Sequence, residues 1–389
     1  SSGTLNIDGI SLSLANGLEL SGAGAGGVGA LTGTGTAAYT GGITLLADSR
    51  VGAAATGDQL TLNGVISGAT RKLEKTGTGK VTLAGANTYD GGTTIQAGTL
   101  SAKNAQALNQ GKVTVASSGT LNIDGISLSL ANGLELSGAG AGGAGALTGT
   151  GTAAYTGGIT LLADSRVGAA TTGDQLTLSG VISGATRKLE KAGAGTLVLD
   201  NAGNSYSGGT TITAGTLQTS VASALPDNEA VSVGTSGTLD LAGHDQSIGT
   251  LTGAGAISLG NGTLTVRDGD FAGQIGGSGQ LSKTSSGTLI LGNASTYTGG
   301  TTIQEGTLSA RHAQALSQGQ VTVATGGTLN IDNVALSLAN GLDLSGTGAA
   351  GAGALSGSGA AAYTGTVTLV TDSHIGAAIR GQVGALPVR

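Results

Sequence analysis

The side chains best suited to chemistry are acidic residues in a stretch that is not duplicated elsewhere in the chain. A glycosidase or polysaccharide lyase needs a unique cluster of carboxylates with a basic partner, because one group donates a proton while another accepts one or stabilises charge. Residues 226–285 form the candidate stretch. Its members are Asp227, Glu229, Asp240, Asp245, Arg267, Asp268 and Asp270. The sequence therefore keeps a polysaccharide-acting enzyme open as an alternative function.

Asp268 and Asp270 flank a glycine on a predicted turn, and carboxylate oxygens are the ligands that calcium prefers. Two aspartates are too few to hold the ion alone. The glycine-rich segment that follows has Gln280 where a calcium-binding nonapeptide repeat would place an aspartate ligand. We expect no metal site in this chain.

Nucleophilic catalysis has little support in the sequence. Cysteine is absent, and no serine carries glycine at both −2 and +2, as the nucleophile elbow of α/β-hydrolases requires. His312 and His374 take positions that other copies of the repeat fill with different residues, and His244 is predicted to be a polar surface residue. We therefore predict no catalytic residues and a protein that is not an enzyme.

Glycine patterns that resemble nucleotide-binding loops are weak here. Residues 22–27 match G-x-G-x-x-G, as does the copy at 138–143, but both lie in Gly/Ala tracts without a surrounding βαβ unit. Lys80 and Lys112 follow a glycine but precede valine, so the hydroxyl that a P-loop places on magnesium is missing. The tracts are predicted to be flexible or tightly packed corners, and no cofactor is expected.

Charge excludes one large class of partners. The chain has 16 Lys and Arg against 22 Asp and Glu, a net charge of −6, without basic clusters interleaved with aromatic residues. Nucleic-acid binding is therefore not expected. The densest charged segment, residues 71–75 with a copy at 187–191, is predicted to be a solvated corner. An ionic contact between rods or with anionic glycans is the alternative for this segment.

Every aromatic residue occurs in one context, close before a glycine and a new strand. These residues are Tyr39, Tyr89, Tyr155, Tyr206, Phe271, Tyr297 and Tyr363. A ring that recurs in each unit is more often part of the fold than a localised site. We interpret them as structural repeat corners, in which the ring closes the end of a coil. An exposed aromatic ladder that binds sugars is the alternative.

The elements that position these residues are repeats. A shift of 116 residues aligns 1–80 with 117–196, with 74 of 80 positions identical, and a diverged third copy begins near residue 325. We expect one continuous fragment over 1–389, cut from something longer, with units 1–116, 117–226, 227–324 and 325–389. Gly-Thr-Leu occurs eleven times, often about 20 residues apart, which fits one turn of a solenoid.

Side chains around these marks alternate with the period of a strand. In residues 112–124, Val113, Val115, Leu121 and Ile123 are predicted to face one side. With 77 glycines and 2 prolines, and no sustained helical period, a helical fold is disfavoured. The pattern predicts an all-β fold, a parallel β-helix with about three short strands per coil.

One longer unit, at residues 77–100, 193–217 and 285–308, carries Tyr-x-Gly-Gly-Thr-Thr-Ile followed by Gly-Thr-Leu. This unit resembles the autotransporter-associated β-strand repeat of Gram-negative type V secretion passenger domains. The resemblance implies a right-handed parallel β-helix that is exported to the bacterial cell surface. It also implies that the chain meets the outer membrane only through a C-terminal β-barrel, which these residues do not contain.

The chain is similar in kind to self-associating autotransporter adhesins. We therefore expect an extracellular structural and adhesive rod. Its expected partners are further copies of itself, host or abiotic surfaces, and glycans. Repeated polar faces would provide many weak contacts at once, without one strong site.

Overall fold

A computed structural model describes residues 3–316 and 319–376 of the chain. The chain divides into two compact units, Ser1–Gly208 and Gly209–Arg389. Each unit is built almost wholly from short β-strands that wind into a solenoid, and helical structure in the described residues is limited to single 3₁₀ turns.

The first unit contains a regular succession of short strands. They are β1 (Leu5–Asp8), β2 (Ser11–Leu12), β3 (Leu18–Gly22), β4 (Leu31–Thr34), β5 (Thr36–Tyr39), β6 (Ile43–Ala53), β7 (Gln59–Leu62), β8 (Ile66–Ser67), β9 (Leu73–Thr76), β10 (Lys80–Leu83), β11 (Thr93–Ala102), β12 (Val113–Asp124), β13 (Ser127–Leu128), β14 (Leu134–Gly138), β15 (Leu147–Thr150), β16 (Thr152–Tyr155), β17 (Ile159–Ala169), β18 (Gln175–Leu178), β19 (Ile182–Ser183), β20 (Leu189–Ala192) and β21 (Thr196–Leu199). The 3₁₀ turns of this unit are Ala25–Gly27 and Ala141–Gly143.

The second unit continues in the same style. Its strands are β22 (Thr210–Thr219), β23 (Val231–Asp240), β24 (Gln246–Gly253), β25 (Ala256–Ser258), β26 (Thr263–Phe271), β27 (Gln274–Gly276), β28 (Gln280–Lys283), β29 (Thr288–Leu291), β30 (Thr301–Ala310), β31 (Val321–Asp332), β32 (Ala335–Leu336), β33 (Leu342–Gly346), β34 (Leu355–Ser358), β35 (Ala362–Tyr363) and β36 (Val367–Ser373). Its 3₁₀ turn is Ala349–Gly351.

The strands of successive turns pair in parallel, so that similar side chains stack on one another. In β11, Leu100 pairs with Val81 of the preceding turn and with Leu121 of the following turn. All three side chains are fully buried. Because inward positions alternate along each strand, the aliphatic residues form continuous columns in the core. The predicted parallel β-solenoid is confirmed, and with it the inward face of Val113, Val115, Leu121 and Ile123.

Several strands are longer than the sequence pattern suggests, because they continue around a corner. β11 shifts its register against β12 between Ile95 and Ala97, and its Gly98 adopts φ +66°. A positive φ is far more accessible to glycine than to other residues, so this Gly-Thr-Leu mark identifies a corner within one strand. The proposed limits of the four repeat units remain a prediction.

The Gly/Ala tracts leave the solenoid briefly and are tied back by one threonine each. Thr4 Oγ1 accepts a hydrogen bond from Ala25 N at 2.8 Å and donates one to Gly29 O at 2.8 Å. Thr120 and Thr328 make the equivalent pairs of bonds in the other two copies. The tracts are therefore ordered loops that are held against the solenoid.

The described residues include no helix that is long and apolar enough to cross a membrane.

Candidate functional site at the repeat corners

The aromatic residues named from the sequence are mostly sealed inside the solenoids. Tyr39, Tyr89, Tyr155, Tyr206, Phe271 and Tyr297 are fully buried, whereas Tyr363 is half-buried. A ring without exposed area offers no face on which a sugar could stack, so the six buried rings do not form a ladder for ligands. Their role as structural corners stays a prediction, because burial alone does not measure what each ring contributes.

The glycine two residues after the ring explains part of the motif. A Cβ at Gly41 would lie 2.6 Å from Tyr39 Oη, and a Cβ at Gly273 would lie 2.5 Å from the Phe271 ring. The ring folds over the backbone that follows it, and a side chain there would collide with it. In the longer unit at residues 77–100, the hydroxyl of Tyr89 instead lies 2.7 Å from Thr93 Oγ1. Burial raises the pKa of Tyr363 to about 12.

Three lysines that point into the core are the most unusual feature of the corners. Lys75, Lys191 and Lys283 lie at the ends of β9, β20 and β28, and their side chains are fully buried. Charged side chains are almost never buried completely unless they are paired. Each of these lysines must therefore find hydrogen-bond acceptors inside the solenoid.

Backbone carbonyls supply those acceptors. The Lys75 ammonium donates to Thr76 O at 2.9 Å, Gly77 O at 2.8 Å and Ala97 O at 2.9 Å. The first two carbonyls belong to the corner of its own turn and the third to the next turn. The ammonium thus ties two successive corners together, and its three protons all have partners.

The same cage recurs in the second unit. The Lys283 ammonium donates to Thr284 O at 3.1 Å, Ser285 O at 2.6 Å and Glu305 O at 3.0 Å. In the first unit, Lys191 likewise donates to Ala192 O and Gly193 O. The recurrence makes this carbonyl cage, defined as a core lysine with the corner carbonyls it binds, a property of the repeat.

The corner of the next turn carries a glycine that packs closely against the cage. A Cβ at Gly98 would lie 2.7 Å from Lys75 Nζ and 2.5 Å from Gly77 O. Only a residue without a side chain fits over the cage. Burial lowers the pKa of Lys75, Lys191 and Lys283 from 10.5 to about 8. Near Lys283, the carboxylates of Asp268 and Glu305 act in the opposite direction to burial.

The prediction of a solvated corner at residues 71–75 and 187–191 was wrong for the last lysine of each segment. Arg71 and Lys72 are exposed, but Lys75 is buried. The alternation of Leu73 and Lys75 along one strand was the signal that could have identified an inward lysine. Composition alone predicts an exposed lysine, since water normally solvates an ammonium better than a protein core does.

The acidic residues of 226–285 serve separate local contacts. Asp240 accepts hydrogen bonds from Gln218 and Ala242 N, and Asp245 accepts one from Thr263 N. Asp268 accepts one from Thr250 Oγ1 at 2.7 Å. Asp227 is exposed and Glu229 is half-buried. Asp240, Asp245 and Asp268 thus each bind a different local partner.

The remaining residues of that set lie on the surface. Arg267 donates to Asn228 Oδ1 at 3.1 Å, and Asp270 lies 3.6 Å from the Arg311 guanidinium. Within 3–316 and 319–376, no three His, Cys, Asp or Glu side chains come close enough together to hold a metal ion. His244 Nδ1 lies 3.3 Å from Leu241 O, and His312 Nδ1 accepts from Gln314 N.

Comparison with known proteins connects the cage to a named repeat. Residues 73–102, 189–219 and 281–310 match the family model of the passenger-associated-transport-repeat. Each matched segment begins close to its core lysine and extends past the glycine of the next corner. The structural unit defined by the cage and the unit defined by sequence similarity therefore coincide.

Two curated relatives match longer stretches. The adhesin BmaC autotransporter of Brucella suis biovar 1 (strain 1330) is 39% identical over 223 residues, which is 51% of this chain and 6% of the relative. The uncharacterized lipoprotein YdeK of Escherichia coli (strain K12) is 31% identical over 148 residues, which is 37% of this chain and 11% of the relative. No solved structure matches significantly. The chain thus spans a small part of either relative's length.

Proposed function

We propose that this chain, a repeat-bearing segment of an autotransporter passenger, serves at the bacterial cell surface as an adhesive and structural solenoid. The three passenger-associated transport repeats and the autotransporter adhesin relative support an exported passenger. Self-association and attachment to host, abiotic or glycan surfaces are the activities that we assign to it. The adhesive role is that of the relative, and its extension to this chain is part of the proposal.

The observation that carries the proposal is the repetition of one surface. The two near-identical copies in the first unit expose the same apolar side chains at the same positions. Leu46 and Leu162 are 50% and 44% exposed, and Val65 and Val181 are 45% and 42% exposed. Duplicate weak contacts raise avidity without any strong single site, because a second contact forms at high effective concentration once the first is made.

Display of the chain on a non-adherent bacterium tests this function. We expect the displaying cells to sediment together, or to attach to host cells or plastic, more than cells with an empty display system. Simultaneous Leu46→Ser and Leu162→Ser substitution should weaken the attachment, whereas Lys103→Ser, a substitution at an exposed charged site, should leave it unchanged. Failure of the displayed native chain to aggregate cells or bind any of these surfaces would remove the proposal.

We further propose that the chain has no enzymatic activity. The dispersed contacts of the carboxylates in 226–285 and the adhesin relative support this view. An assay against a panel of polysaccharides should give the same background rate for the native chain and for the Asp268→Ala, Asp270→Ala double variant. Polysaccharide cleavage that the double substitution abolishes would restore the enzymatic alternative.

A further inference from the structure

One corner of the second unit departs from the repeat and opens a polar groove. The groove has a volume of about 370 Å³ and is lined by Asn228, Arg267, Thr284, Ser285, Ser286 and Glu305. It lies over the carbonyl cage of Lys283, since the cage carbonyls belong to three of these lining residues. The proposed adhesive surface around Leu46 and Leu162 does not include this polar groove.

Ser285, one of the residues that line the groove, has a strained backbone. It adopts φ +84°, where the equivalent positions in the other two repeats are Gly77 at +75° and Gly193 at +78°. A non-glycine residue in this region costs on the order of 1 to 3 kcal/mol. Such strain is most often kept where a site requires it, and here its side chain donates to Arg267 O at 2.9 Å.

The groove opens because of a difference in corner length. In the first unit, the preceding turn passes over Gly77 with a corner of residues 53–58, between the paired positions Gly52 and Gln59. In the second unit, the preceding turn has only Arg267 and Asp268 between its paired positions. A short corner therefore lies over the longer corner of residues 284–288, and the space that a longer preceding corner would fill remains open.

Side-chain chemistry in the groove is balanced between donors and acceptors. Arg267 is exposed, and Asn228 Oδ1 orients its guanidinium, while Glu305 presents an exposed carboxylate. The hydroxyls of Thr284 and Ser286 add groups that can donate or accept. The lining thus holds one cationic side chain, Arg267, and one anionic side chain, Glu305.

This balance selects a class of ligand. A charged ligand would meet a group of its own sign, whereas the hydroxyls of a neutral sugar can accept from a guanidinium and donate to a carboxylate. Hydrogen bonds to ionised groups are about twice as strong as neutral ones. Shallow open grooves suit a polymer that continues beyond the site better than a small molecule that must be enclosed.

We propose that the groove around Arg267, Ser285 and Glu305 is a binding subsite for the hydroxyl groups of a neutral polysaccharide. The Arg267 guanidinium donates to the sugar hydroxyls and the Glu305 carboxylate accepts from them. This subsite deepens the proposed adhesive function and rests on it, because it supplies one chemically defined contact among the glycan contacts assigned to the passenger.

Affinity electrophoresis through gels that contain dextran, galactomannan or polygalacturonate tests the subsite on the full chain. We expect retardation by at least one of the two neutral polysaccharides. Arg267→Ala and Glu305→Ala, of which the second restores the alanine found at Ala97 in the first repeat, should each weaken that binding about tenfold. Arg71→Ala removes an exposed arginine that is far from the groove in the sequence, and it should leave the retardation unchanged. Circular dichroism confirms that each variant keeps its strands.

The outcomes separate this proposal from the adhesive function. Absence of retardation by both neutral polysaccharides, equal retardation of the native chain and the groove variants, or retardation by polygalacturonate alone would each overturn the subsite. Cell aggregation or attachment to plastic by the displayed native chain is measured in parallel. If that attachment is present while saccharide binding is absent, the subsite is wrong and the adhesive function stands. If the displayed chain attaches to nothing, the adhesive function itself fails.

Discussion

The corner at Lys75 and the corner at Lys283 contain the same carbonyl cage but differ in what covers it. At Lys75, the preceding turn packs so closely on Gly77 that a Cβ there would lie 2.2 Å from Ala53 O. At Lys283, the equivalent Ser285 keeps a side chain, and an open polar groove replaces the close packing. The core lysine is therefore common to both corners. A glycine two residues after it is required only where the corner of the preceding turn is long enough to pack on it.

A side chain introduced at Gly77 gives the largest expected effect. We expect Gly77→Ser to lower the free energy of unfolding of the first unit by about 3 kcal/mol or more, since it combines a positive φ with a collision against Ala53 O. Gly125 has φ +66° and open space around it, so Gly125→Ser should cost about 1 kcal/mol. Thermal unfolding followed by circular dichroism measures both. Equal losses would mean that packing at this corner is unimportant.

Removal of the core lysine gives the next effect. Lys75→Met should cost about 2 kcal/mol, because three corner carbonyls lose their donor in the interior. Lys283→Met should cost less, since the groove gives water access to the carbonyls of Thr284 and Ser285. Lys72→Met, at an exposed site, is the control and should have an effect below about 0.5 kcal/mol.

Hydrogen exchange at the amides of the two corners localises these losses. A larger loss of stability for Lys283→Met than for Lys75→Met would contradict the proposed difference between the two corners. Losses of stability no larger than that of the control, Lys72→Met, would also contradict it.

The lysine cage also predicts a dependence on pH. Burial lowers the pKa of Lys75 from 10.5 to about 8, so between these values the unfolded chain binds a proton that the folded chain has released. The free energy of unfolding of the native chain, relative to that of Lys75→Met, should therefore rise as the pH increases from about 8 to 10.5. Denaturant titrations of both proteins across this range measure the difference. A difference that falls would mean that the three carbonyls hold the proton more strongly than burial disfavours it.

The smallest effect is expected at the strained serine. Ser285→Gly relieves the positive φ but loses the hydrogen bond to Arg267 O, and these changes largely offset each other. The midpoint of thermal unfolding should move by an amount equivalent to less than about 1 kcal/mol. A large loss of stability would show that the serine, and not the corner length, holds the groove open.

Local patterns in the sequence were sufficient for the fold but not for the interior of its corners. Alternation in residues 112–124 predicted the inward columns, and they are present. The lysine at position 75 shares that alternation, yet its charge suggested an exposed position. Burial was possible only because the carbonyls of two turns converge on the ammonium, and the convergence depends on stacking that no short segment contains.

The groove was even less accessible to sequence analysis. Arg267 and Asp268 were named as members of a possible catalytic set, but Ser285 and Glu305 were not singled out for a site. Sequence positions 228, 267 and 305 are brought together only because successive turns of the solenoid stack above one another. The candidate enzyme site was a list of nearby residues in the chain, whereas the observed polar groove selects residues from different turns.

The sequence by itself determined the parallel solenoid, the placement of every aromatic residue shortly before a glycine, and the units that match the transport repeat. It could do so because period, alternation and glycine placement are local properties that recur in each turn. Only the tertiary structure decided that Lys75 and Lys283 enter the core and that one corner opens above its cage. Those outcomes depend on the register and corner length of neighbouring turns, which are set when one turn stacks on the next.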